Sequence, residues 1–101
     1  MYGLLDRDIK YILEAIGKFE EIEKVILFGS RAMGNYKKGS DIDIAVSGKK
    51  VTINTILKLS DYLNEVYPLP YYFDIIHYEN ISNENLKKHI DTYGKEIYIK
   101  K

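Results

Sequence analysis

The segment Asp41-Ile42-Asp43-Ile44-Ala45-Val46 constrains this chain more than any other six residues. Side chains alternate faces along a strand, so Asp41 and Asp43 point one way while Ile42 and Ile44 enter the opposite layer. A rise of about 3.3 Å per residue puts the two Cα atoms roughly 6 to 7 Å apart. Carboxylates at that range either repel, which raises a pKa, or share a positive partner. The bland reading is a solvated strand end that binds nothing. The sharper one is a divalent-cation site holding one ion, or two about 3.5 to 4 Å apart. Mg²⁺ in particular prefers a few carboxylates completed by phosphates and water.

A second motif lies upstream, with ten residues separating Ser30 from Asp41. Lys24-Val25-Ile26-Leu27-Phe28 reads as a short buried strand, and Gly29 then permits a bend and a close approach that a side chain would obstruct. Ser30 is a natural helix N-cap. If Arg31, Ala32 and Met33 begin a short helix, their free N–H groups and the Ser30 hydroxyl form an anion site. Arg31 adds a permanent charge that can grip phosphate or pair with a carboxylate. Gly34 and Gly39 bracket a polar connection in which Lys37 and Lys38 either steer an anion or are simply solvated. Gly29 to Asn35 has the glycine spacing of a Walker loop but lacks its lysine, and no Gly-x-Gly-x-x-Gly occurs.

A third carboxylate, Asp74, sits within Tyr71-Tyr72-Phe73-Asp74-Ile75-Ile76, a run of strong strand character. Burying a carboxylate among aromatics and isoleucines is expensive unless it is protonated or faces a cation. An edge-strand Asp facing water is the alternative.

Taken together, GSRAMG, SDIDIAV and the later FDII resemble the minimal nucleotidyltransferases of the DNA polymerase beta superfamily, many of which are antitoxins paired with a HEPN-domain protein. The resemblance implies a catalytic set in which Gly29, Ser30 and Arg31 bind the nucleotide, Asp41 and Asp43 hold two Mg²⁺ ions, and Asp74 completes the metal site. It further implies transfer of a nucleoside monophosphate, with ATP as substrate, to a hydroxyl of a HEPN-type toxin. Family members often carry a second basic residue where this chain has Met33, a departure that bears on one phosphate or acceptor contact and not on the metal ligands. A non-catalytic protein of the same fold, neutralising its partner by occlusion, is the alternative.

Size and composition fit one α/β (α+β) domain over residues 1–101, with a mixed central sheet flanked by helices. Fifteen basic residues balance fifteen acidic ones, which argues against strong nonspecific nucleic-acid binding. The absence of cysteine excludes disulfides and thiolate metal sites. No stretch has the length of a membrane span or the apolar core of a signal peptide, so a cytoplasmic location is expected.

Periodicity predicts a first helix capped by Asp6, with Ile9, Ile12, Leu13 and Ile16 inward and Gly17 as its stop. A second helix is expected to bury Ile53, Ile56, Leu57, Leu63 and Val66 before Pro68. A third opens at Ser82, carries Leu86 and Ile90 inward and stops at Gly94, and Glu96 to Lys100 alternates like an edge strand. Larger superfamily members hold the acceptor with an added domain. A partner protein or a second copy of this chain, in a homo-oligomer, is therefore expected to complete the site through an exposed apolar or aromatic patch. Tyr62, Tyr67, Tyr71, Tyr72 and Tyr78 fit such a patch, or else line the domain's own core and edges.

Overall fold

The computed structural model describes all residues from Met1 to Lys101. Four strands, β1 (Lys24–Phe28), β2 (Ile42–Ser47), β3 (Phe73–His77) and β4 (Lys95–Ile99), form one mixed sheet in the order β3-β2-β1-β4. β1 is antiparallel to both β2 and β4, whereas β2 and β3 run parallel. Consequently the end of β1 and the starts of the other three strands share one end of the sheet. The fold is α+β, with helices α1 (Asp6–Gly17), α2 (Ser30–Met33), α3 (Ile53–Asp61) and α4 (Glu84–Tyr93). No helix is long and apolar enough to cross a membrane.

Strand alternation sorts the core into two layers. Val25, Leu27, Ile42, Ile44, Val46 and Phe73 face the larger layer, where Ile12, Ala15 and Ile16 of α1 meet Ile56 and Leu59 of α3. Ile26, Phe28 and Ala45 face the other side, and Ile90 of α4 packs on them. α3 is the crossover that a parallel β2–β3 pair requires.

Local chemistry shifts several expected boundaries. Asp6 is the first residue of α1 and not its cap, because Leu5 is the extended residue preceding the helix. α3 opens on a reciprocal capping box in which Thr52 accepts from the Thr55 backbone and Thr55 accepts from that of Thr52. This phase buries Ile56, Leu59 and Leu63 and leaves Ile53, Leu57 and Val66 exposed, contrary to the inward face expected for them. After Asp61 the helix widens into one π turn, Tyr62–Val66. Asn83, rather than Ser82, caps α4 by accepting from Leu86 N at 3.1 Å. Tyr62, Tyr67 and Tyr71 pack against the larger layer and Tyr78 against the smaller, so of the five tyrosines expected at a patch only Tyr72 is exposed.

Candidate functional site

β1 delivers the chain to Gly29, whose φ of +75° and ψ of −155° turn it sharply. That backbone conformation is one L side chains rarely adopt. Gly29 rather than Ser30 is therefore the cap of α2, and Ser30 is its first residue. The turn closes through Met33 N to Gly29 O at 3.1 Å, and left-handed Gly34 ends it. A Cβ on Gly29 would collide with Asp43 Oδ2, so the backbone of the turn lies directly against that carboxylate.

Asp43 stands at the centre of the sheet end. Its Cα partners are Phe28 on β1 and Asp74 on β3. Since adjacent strands lie about 4.8 Å apart, the carboxylates of Asp43 and Asp74 are neighbours on the face opposite Ile42 and Phe73. Asp74 is exposed on the edge strand β3, so the burial among aromatics and isoleucines gives way to the edge-strand alternative. Asp41 is likewise exposed and precedes β2, one residue short of the ladder. Burial pushes the Asp43 pKa up, and the charges of Asp74 and Asp41 push it further. No lysine, arginine or histidine lies within ion-pair distance of any of the three.

The three carboxylates share one electrostatic field without being drawn into a preassembled cage, since no trio of acidic or histidine side chains is grouped closely enough to enclose an ion. Donor chemistry nevertheless fits Mg²⁺, which takes one or two carboxylates plus phosphate and water instead of an all-protein cage. The uncompensated charge around Asp43 is what such a cation would relieve.

Arg31 corrects an expectation. It is 3% exposed, and its guanidinium faces neither a carboxylate nor open space. Nε and Nη2 donate to Ser40 O at 3.1 and 2.8 Å, and Nη1 donates to Tyr2 O at 3.0 Å. The rings of Tyr36 and Tyr71 lie 5.1 and 5.0 Å from it. The reason is the path of residues 34–40, which folds back so that the carbonyl just before Asp41 meets the fork. Arg31 thus ties the glycine-serine turn to the start of the aspartate motif.

Two further residues escaped sequence reasoning. Asn64, in the π turn, accepts from Phe73 N at 2.8 Å and donates to Phe73 O at 3.1 Å. Its only signal was its place beside buried Leu63. Asp8 is completely buried and accepts from the Tyr71 hydroxyl at 2.9 Å, leaving Oδ1 without a hydrogen-bond partner. Burial and then the bond to Asp8 raise the Tyr71 pKa. Here a signal existed, because Asp8 occupies the same helical stripe as Ile12, Ala15 and Ile16.

The family described as Polymerase beta, Nucleotidyltransferase matches residues 10–101. The chain belongs to the polymerase beta nucleotidyltransferase family. That match takes in the glycine-serine turn and all three aspartates. No curated protein matches the sequence. Among solved structures, a toxin-antitoxin with AMP-PNP superposes with a TM-score of 0.76 at 22% identity, covering 96% of this chain and 74% of that one. The complex of a tri-AMPylated Shewanella oneidensis HEPN toxin with MNT antitoxin gives a TM-score of 0.70 at 20% identity, covering 99% and 74%. The toxin-antitoxin MntA-HepT gives 0.70 at 19%, covering 95% and 74%. At these identities the likeness establishes the nucleotidyltransferase fold.

Proposed function

We propose that this chain is a Mg²⁺-dependent nucleotidyltransferase that moves a nucleoside monophosphate, AMP from ATP, onto a hydroxyl of a HEPN-type toxin and thereby acts as its antitoxin. The observation that carries this reading is the pairing of Asp43 with Asp74 beside the Gly29 backbone, with Asp41 two residues upstream. Membership of the family supports nucleotidyl transfer. The HEPN partner and the adenylyl group draw support from the AMPylated toxin and the AMP-PNP complex among the fold neighbours.

In this reading the N–H groups of the Gly29–Ser30 turn and the Ser30 hydroxyl donate to the triphosphate. Asp41 and Asp43 hold the cations, and Asp74 completes the set and helps accept the proton of the attacking hydroxyl. When bound, Mg²⁺ supplies a lowered pKa for that hydroxyl and neutralises charge on the departing pyrophosphate. Arg31 acts on the chemistry indirectly, by holding the Ser40 carbonyl in place. A second reading, occlusion without transfer, takes support from the loose grouping of the carboxylates.

The test is to incubate the chain with ATP, Mg²⁺ and the HEPN protein encoded beside it, then weigh both chains intact. AMP adducts on the partner, lost with Asp43→Asn, are the expected result. A bound partner left unmodified with all four NTPs would favour occlusion.

A further inference from the structure

α4 brings a row of aromatic rings to the carboxylate end of the sheet, on the carboxylate face. Alternation places Asp43 and Asp74 on the side of Phe28, Ala45 and Ile76, the layer that α4 covers. Direction places the C-terminal turn of α4 at the same end, because β4 starts there with Lys95 beside Leu27. The seat is tight, since a Cβ at Gly94 would collide with Ile26 and with the Ile90 carbonyl.

The helix has two flanks around its Leu86–Ile90 stripe. On one, Asp91 accepts from the Tyr78 hydroxyl at 2.6 Å and Lys87 lies over the same ring, so that flank is occupied by the chain itself. The other carries His89 and Tyr93. His89 meets Phe28 edge-on at 6.4 Å, and Tyr93 meets His89 at 5.5 Å. Phe28 is the residue before Gly29 and the cross-strand partner of Asp43. The rings therefore step outward from the phosphate turn, and the last, Tyr93, is 50% exposed.

We propose that His89 and Tyr93 form the platform on which the nucleobase of the nucleoside triphosphate stacks, an inference that rests on the nucleotidyl-transfer reading. A triphosphate held at Gly29–Ser30 leaves its planar base to be placed, and aromatic rings stack any base through its π-face. Such stacking is tolerant of base identity, so the platform adds affinity more than discrimination between NTPs.

Titration calorimetry with Mg²⁺ present separates the parts, using ATP and inorganic tripolyphosphate as ligands. Tyr93→Ala is expected to weaken ATP about tenfold, within the range for losing one stacked base. It should leave tripolyphosphate unchanged, and Tyr93→Phe should bind ATP like the wild type. His89→Ala should repeat the alanine result. Tyr93→Ala that binds ATP as tightly as wild type, or loses both ligands equally, overturns the platform while leaving nucleotidyl transfer standing. A wild-type chain that binds neither ligand defeats both.

Discussion

Asn64 holds both backbone polar groups of Phe73, the residue immediately before Asp74, through its side-chain amide. β3 lies at the sheet edge, so the amide stands where a further strand would otherwise pair. The π turn is what aims it, consistent with the frequent placement of such turns at functional sites. Asn64→Leu keeps the volume but leaves one donor and one acceptor unpaired, which should cost about 1 to 3 kcal/mol. Urea unfolding would measure that loss, and the turnover of folded protein should fall with it as Asp74 loses its anchor.

Gly29→Ala tests the contact between the turn and Asp43. The new methyl meets the carboxylate at a backbone angle that alanine disfavours. Stability should drop by about 1 to 3 kcal/mol, the usual cost of a strained backbone position. Mg²⁺-ATP affinity should suffer more than stability does. Calorimetry on the folded fraction showing wild-type affinity would count against the turn as the phosphate seat.

Removing a single carboxylate should separate chemistry from folding. Under the proposed function, Asp41→Asn, Asp43→Asn and Asp74→Asn are each expected to slow AMP transfer roughly 10²-fold or more, because metal-derived stabilisation of that step would be worth several kcal/mol. Their circular dichroism should match wild type. Near-normal transfer by Asp43→Asn, read by intact mass, would refute the assignment.

The raised Asp43 pKa has a definite sign in stability. The folded chain binds this proton more tightly than the unfolded chain, whose carboxyl titrates near 3.8. Below 3.8 both states are protonated and the contribution is fully present; it is lost as pH climbs through the folded value. Without metal, Asp43→Asn should therefore be more stable than wild type at pH 7 and should lose that advantage near pH 3. Chemical denaturation in EDTA at the two pH values gives the comparison, and Mg²⁺ should raise the melting temperature of wild type more than that of the variant.

Arg31→Lys is expected to behave as a loss and not as a conservative change, since one ammonium cannot reproduce a planar fork that bonds two carbonyls and lies over two rings. A cost on the order of 2 kcal/mol, typical for hydrogen bonds made by a charged group, would lower the melting temperature by about 8 to 16 °C in a domain of this size. Differential scanning calorimetry decides it.

The strands and the glycine-serine and aspartate motifs were legible because period-two alternation and glycine chemistry act over a few residues. The expectations that missed depended on distant partners. Ile53 and Leu57 have inward-looking spacing, yet the Thr52–Thr55 box sets a helical phase that turns them out. Arg31 reads as a phosphate ligand until residues 34–40 fold back and present the Ser40 carbonyl. Asn64 acts across nine positions through a helical widening that no local propensity announces.

The shared end of the four strands has its counterpart at the opposite pole. The connections at residues 18–23, 48–52 and 78–83 all turn there, a strand's length from the aspartates. Lengthening them, or grafting a foreign segment into one, is expected to leave the three aspartates in register, because each is positioned from its own strand's near terminus. Such a scaffold can diversify its remote rim, and with it whatever it assembles against, while its carboxylate end stays fixed.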